Sequence, residues 1–451
     1  ETLTLGDNAQ LSATATATAT NTEGGGSINL NANTLNIAGQ LGIFAETNSV
    51  TQAGNLVITP HTSNNLAINF RNNGFISAST TSAGDGGNIT VQAPNTLQLD
   101  GQGKVSVTTS GSGNAGTIAM EAQDVTLKNG VEISASTTGD GQGGQITVNG
   151  DRLDIQSGSQ IRTSTSSAGQ AGSINIQLTD ALTIDGPGSG IFADGEPQAT
   201  GDSGNIFIDP PLVSLTNGAQ ISANNQGSGV GGNITLFAGD LVLDNAGFFA
   251  QTASNQGGNI TLAIADQLIF LGNGQISATA GTAQAGGDGG NITIQANQIF
   301  GDLYGNNQIS ANAFTGNGGN INLAANYLFG FAVGDAPFPT STITASSDFG
   351  FDGNIILNIP DLNPLRGVDR LPEQTVNVTL QRGCEAGRSQ GQAAFYEIGK
   401  GGIPRSLPTF FDGTPSPTFT PIPLDDFQSN PAPPSAQSLS LLPFRLTCQQ
   451  P

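Results

Sequence analysis

The sequence contains no tryptophan, one methionine, one histidine and two cysteines, and only 10% of its 451 residues are charged. Such scarcity leaves little material for acid–base, thiol or metal chemistry. No stretch reaches the roughly 18 apolar residues of a membrane-spanning helix. No apolar leader opens the chain either, since Glu1-Thr2-Leu3-Thr4-Leu5 already alternates like a strand. Basic residues are few: 12 Lys and Arg stand against 34 Asp and Glu, a formal charge of −22. That balance repels nucleic acid and anionic membrane surfaces. No cofactor, no nucleic-acid partner and no transmembrane segment are expected.

What the chain does have is glycine, 64 residues of it, together with Asn, Ser and Thr. Val, Ile and Leu recur among them at regular intervals, which argues against plain disorder. The stretch GDGGNITVQA (84–93) illustrates the pattern. Its relatives include GGGSINL (24–30), GGQITV (143–148), GGNITL (231–236 and again 257–262) and DGNIIL (352–357). The first apolar residue of each copy falls at 28, 56, 89, 118, 146, 174, 206, 234, 260, 292, 321 and 355. Each unit carries two further runs, represented by TLQLD (96–100) and FISAST (75–80). All three alternate apolar and polar residues and are bounded by Gly, Asn, Asp and Ser, which are strand signals.

Three short strands in about 30 residues suit one coil of a parallel β-helix, each strand stacked on its counterpart roughly 4.8 Å away. The reading is all-β: a β-solenoid of about twelve coils over residues 1–358. Ile76, Ala78, Ile89, Val91, Leu97 and Leu99 are expected to point into the core. A β-propeller is the alternative, but its blades take about 40–45 residues and four strands. Asn55, Asn88, Asn205, Asn233, Asn259, Asn291, Asn320 and Asn354 share one register, and stacked amides there can bond along the axis as a ladder. The glycines before them are expected to supply positive φ at a tight corner.

Several chemistries compete with this structural reading of the glycine-rich corner. Calcium would need regular acids, whereas Asp85, Asp140, Asp202 and Asp288 occur in some loops and not in others. Phosphate would need a following helix and usually a Lys. Carbohydrate cleavage needs clustered carboxylates. One outward register reads Asp100, Lys128, Gln156, Asp185, Thr216, Asp244 and Leu271, placing Asp185 and Asp244 two coils, roughly 10 Å, apart. His61, in the loop-like TPHTSN (59–64), reads as solvated. Ice binding would need Thr-x-Thr repeated on one flat face, and the coils do not keep that spacing.

The pattern breaks after about Leu357. Residues 359–383 form a Pro- and Arg-containing transition, and 384–451 an irregular tail holding Cys384 and Cys448. The cysteines read either as two free thiols or as one disulfide suited to an oxidising compartment. Phe329, Phe331, Phe338, Phe349 and Phe351 gather before the break, as if to fill and cap the last coils.

The coils, together with PDLNPLRG (360–367), RLPE (370–373), QRGCEAG (381–387) and FYEIGKGGIP (395–404), resemble cyanobacterial filamentous-haemagglutinin-like exoproteins of two-partner secretion. Lys400 and Ile403 stand where that family's tail has Arg and Leu. The resemblance implies a right-handed parallel β-helix, export through an outer-membrane transporter of the Omp85 class, and folding at the cell surface. It implies an adhesive or structural role, with glycans, host or neighbouring-cell surfaces, or like fibres as partners. The family's N-terminal secretion domain is not recognisable, so the chain reads as the C-terminal portion of a longer exoprotein. In some related exoproteins a C-terminal cysteine pair holds the chain at the surface, a role that would fall to Cys384 and Cys448. A polysaccharide hydrolase or lyase, and a sheath component without a ligand, are the alternatives.

Overall fold

The computed structural model describes residues 1–16, 24–302, 305–334 and 341–360. Every regular element among them is a β-strand, and every pairing between strands is parallel. The strands stack as a β-solenoid of about 11 turns. At roughly 4.8 Å per turn the described coils rise about 50 Å.

Each coil has three faces. The first face holds the twelve strands that follow the Gly-Asn corners. Ile28, Leu56, Ile89, Ile118 and Ile146 stack one above another, and the same register continues without a slip to Ile321 and Ile355. These are the twelve positions given by the sequence spacing. The second face stacks the Leu-x-Leu strands, with Leu97, Val125, Leu153 and Leu182 in one column. The third stacks the Ile-Ser strands, with Ile76 over Val105, Ile133 and Ile161. In places the first two faces are one bent strand, as in Gln145–Gln156 and Ile174–Asp185. The third face is a separate sheet of 13 strands.

Alternation makes this arrangement inevitable once the coils stack. Ile76, Ala78, Ile89, Val91, Leu97 and Leu99 all have no accessible surface, as expected of inward positions. Each buried Ile or Leu contributes roughly 1.5–3 kcal/mol, and only neighbouring coils provide that burial.

The corner glycines work differently from the expectation. Gly86 and Gly87 do not have positive φ; Gly24 and Gly287 do in their copies of the motif, but most left-handed residues lie at the other corner, between the second and third faces, as at Gly101, Asn129, Gly130, Asn217 and Gly218. At the Gly-Asn corner the constraint is closeness. A Cβ on Gly87 would stand 1.8 Å from the carbonyl oxygen of Gly54, and one on Gly116 would stand 1.8 Å from that of Gly87. The same collision repeats at Gly144, Gly172, Gly204 and Gly232. Glycine is required there because successive backbones touch.

The phenylalanines do not cap the core. Phe349 and Phe351 are largely exposed, and Phe329 is half exposed, stacked on Phe300 with centroids 5.5 Å apart. Phe331 is the one partly drawn in, edge-on to the buried Phe270 at 5.1 Å. Phe338, the cysteine pair Cys384 and Cys448, the tail 384–451 and the transition segment beyond Pro360 lie outside the described residues.

Candidate functional site

The Gly-Asn corner is a set of stacked hydrogen-bonded columns. The N–H of Gly87 donates to the carbonyl of Ala78 in its own coil at 2.8 Å, closing the loop between the third and first faces. Gly54 with Ala45, Gly144 with Ala135 and Gly232 with Ala223 repeat the bond. Small Ala on the third face and Gly at the corner let the backbones come this close.

The Asn residues complete the corner. Asn233 receives at its Oδ1 the backbone N–H of Asn259 (3.0 Å) and its Nδ2–H (2.9 Å). Asn259 accepts the same pair from Asn291, Asn291 from Asn320, and Asn205 from Asn233. A shorter run links Asn55, Asn88 and Thr117. Thr117, Gln145 and Ser173 occupy this register between the two runs. Asn354 stands at the end of the column, its carbonyl accepting from the N–H of Ile321. The carboxamides thus satisfy backbone donors that would otherwise face the previous coil unpaired.

Three of the scattered loop acids, Asp85, Asp202 and Asp288 but not Asp140, have the same task. Asp85 accepts from the N–H of Asn114 at 2.8 Å, Asp202 from Val230 at 2.8 Å and Asp288 from Asn317 at 2.7 Å. Asn114 fills the same column and accepts from Gln142. Among the described residues no group of three or more His, Cys, Asp or Glu side chains converges on a metal-sized point.

Thr-x-Thr does not repeat, since the residues two before the one threonine column are Ala45, Ala78, Val107, Ala135 and Thr163. Thr47, Thr80, Thr109, Thr137 and Thr165 pair coil to coil, but they are buried. Their hydroxyls turn inward: Thr80 donates to Gly84 O and Thr109 to Gly113 O at 2.6 Å, and Thr137 to Gly141 O at 2.7 Å. They are loop ties, unavailable to a flat external lattice.

On the second face Asp185, Thr216 and Asp244 stack in register, so the two acids are two coils apart as expected. Hydrogen bonds from Thr216 (2.6 Å) and Asn217 (2.7 Å) hold the Asp185 carboxyl below its ordinary range. An acid so engaged stays ionised and is a poor proton donor. Asp100 is tied to Lys128 by an ion pair of 3.4 Å. His61 lies at the surface, 3.5 Å from Glu1.

The third face holds a feature that the repeat pattern did not reveal. Its middle outward column reads Phe44, Ser77, Ser106, Ser134, Arg162 and Phe192. The serines are small, so they form the floor of a trough of about 610 Å³. Phe75, Lys104 and Glu132 make one wall, Ser79, Thr108 and Ser136 the other. Hydroxyls bond along it: Ser77 to Ser79 (2.9 Å), Ser106 to Thr108 (3.2 Å), Ser134 with Ser136 (3.1 Å) and Ser164 to Ser136 (3.1 Å). Ser77 also donates to Glu46, and Arg162 pairs with Glu196 at the far end. Lys104 and Glu132 are 3.0 Å apart.

Asp194 lies beside that far end. Desolvation pushes its carboxyl up to about 6, against hydrogen bonds from Ser222 (2.6 Å) and the Asn224 N–H (2.8 Å) and the nearby charge of Arg162. Neither the trough nor Asp194 could be read from the motif, because both depend on side-chain sizes in coils about 30 residues apart. Searches against protein-family models, curated proteins and solved structures find no match to this chain.

Proposed function

We propose that the chain is a surface-exposed or secreted structural and adhesive β-solenoid. In this reading it is exported by a two-partner route through an Omp85-class transporter and mediates attachment or contacts with extracellular matrix and fibres. The observation that carries the reading is repetition: outward Ser, Thr and Asn recur in register at successive coils. A weak contact made once can then be made along the stack, and linked weak contacts gain strongly in avidity. Candidate partners are glycans, host or neighbouring-cell surfaces, and like fibres. Neighbour-only stacking supports the export route, because an emerging chain can add each coil to the last.

The test is attachment. Beads coated with the purified chain are expected to adhere to polysaccharide-coated or cell-coated surfaces, and soluble chain is expected to compete. Beads that adhere no better than albumin-coated controls would sink the adhesive reading.

A second reading, polysaccharide cleavage on the same fold, is favoured by one observation: Asp194, with its raised pKa, two residues from Glu196 on the third face. The charge of Glu196 is among the causes that raise the Asp194 carboxyl, so the two are electrostatic neighbours. Release of reducing or unsaturated ends from polysaccharide, lost in Asp194→Asn, is the outcome that would support it.

A further inference from the structure

The third-face trough deepens the adhesive reading by naming a site and a ligand class, and it rests on that reading. Its two ends are defined by side-chain size. Phe44 occupies the column of Ser77, Ser106 and Ser134 at one end and Arg162, paired with Glu196, occupies it at the other, so large side chains bound the recess at both ends. Four coil steps separate Phe44 from Arg162, a span of about 19 Å at roughly 4.8 Å per step. The recess runs along the stacking axis, across the strands. It presents no free strand edge, so it does not suit an extended peptide seeking backbone partners.

The groups within it are chiefly hydroxyls, each able to donate and to accept. The floor serines are recessed, Ser106 at 4% and Ser134 at 1% exposure; these two bond to neighbouring hydroxyls, and Ser77 donates to Glu46. Above them the rim carries one exposed hydroxyl per coil, at Thr81, Ser110 and Thr138. Lys104 pairs with Glu132 and Arg162 with Glu196, and the remaining charge, Glu46, is engaged by the Ser77 hydroxyl and leaves the walls one net negative charge that disfavours an anionic ligand. Phe75 gives one wall an apolar, partly exposed ring.

We infer that this trough binds a neutral, linear glycan lying along the solenoid axis. A sugar chain presents hydroxyls that both donate and accept along its edges, and apolar C–H faces toward a ring such as Phe75. An extended β-linked hexose advances by nearly the same step as one coil, so successive sugars meet equivalent rim hydroxyls. The trough then accommodates on the order of three or four units, at one coil spacing each. Its rim supplies the regular contacts, and the Arg162–Glu196 pair marks one terminus.

The test uses the full 451-residue chain and hexasaccharides of β-1,4-linked glucose, N-acetylglucosamine, xylose and mannose, with binding read by calorimetry or ligand-observed NMR. Ser106→Phe with Ser134→Phe fills the recess with a residue that the same column tolerates at Phe192 and Phe249. At least a tenfold loss of affinity is expected, while Ser310→Phe, in that column but outside the trough, binds as the parent does. Should the filled variant misfold, Thr81→Ala, Ser110→Ala and Thr138→Ala together trim only exposed rim groups and are expected to weaken binding severalfold. The inference is overturned if none of the four hexasaccharides binds at millimolar concentration, or if neither the filled nor the rim variant reduces binding. Bead adhesion without hexasaccharide binding would overturn the trough alone and leave the rod reading standing.

Discussion

The backbones of Gly116 and Gly144 touch: a Cβ on Gly144 would lie 1.8 Å from the carbonyl oxygen of Gly116, one coil before it. The N–H of Gly144 meanwhile donates to Ala135 O at 2.7 Å within its own coil. The residue is held from two directions, and neither neighbour is a side chain that could move aside. Gly144→Ala is therefore expected to destabilise by about 3 kcal/mol or more, since the backbone itself must shift. Gly130 is the informative control. It has φ +87, yet nothing lies closer than 3.6 Å to a Cβ there, so Gly130→Ala meets only backbone strain of about 1–2 kcal/mol. Denaturant melts of the two variants would check the order. Equal losses would mean that close approach is not the corner's constraint.

Asn259→Ala removes the acceptor for two donors of Asn291. The expected cost is about 1–2 kcal/mol, including the stranded N–H. The effect is local, so hydrogen exchange at the Asn291 amide is expected to accelerate while the Gly232 amide, bonded within its own coil to Ala223 O, changes little. Unchanged exchange at Asn291 would remove the ladder from the list of stabilising features.

Asp194 gives a pH signature. Burial raises its carboxyl from 3.8 to about 6 in the folded chain. The folded state therefore holds this proton more tightly than the unfolded state, and the contribution to stability falls as pH rises from about 4 to 6. Above pH 6 the cost is complete, on the order of 1–3 kcal/mol once partial solvent access is allowed for. Asp194→Asn keeps an oxygen for Ser222 and for the Asn224 N–H, and Asn224 itself plays that part for Gln251 one coil later. The variant is expected to match the parent near pH 4 and to exceed it at pH 8. A difference that does not vary with pH would contradict the assignment.

Thr137 is a buried tie whose hydroxyl donates to Gly141 O at 2.7 Å. Thr137→Val preserves shape and removes the bond, leaving a buried carbonyl with one partner fewer. A loss of about 1–2 kcal/mol is expected, with faster proteolysis in the loop 137–144 as the readout. Proteolysis at the parent's rate would show that the loop is held by stacking alone.

The fold was legible because its information is local and periodic. Ile89, Val91, Leu97 and Leu99 announce their inward direction by alternation within a few residues, and the twelve register positions follow from spacing. The reason for Gly87 was not legible, because a string of letters does not separate glycine needed for φ from glycine needed for closeness. Asp85 looked irregular because its column also holds Asn114, whose side-chain oxygen makes the same bond, to the Gln142 N–H. Thr80, Thr109 and Thr137 stand at a fixed distance from the inward Ile or Val of their strands, but that their hydroxyls tie Gly84, Gly113 and Gly141 depends on how the following loop folds back. The trough lay further out of reach, since it exists only where Ser77, Ser106 and Ser134 fall between Phe44 and Arg162.

The central claim is that the solenoid functions on the outside of the cell. Antibody raised to the purified chain, applied to intact and to permeabilised producing cells, tests it most directly. Labelling of intact cells or of the surrounding matrix, lost after brief surface proteolysis, is the expected result. Labelling that appears only after permeabilisation would contradict it.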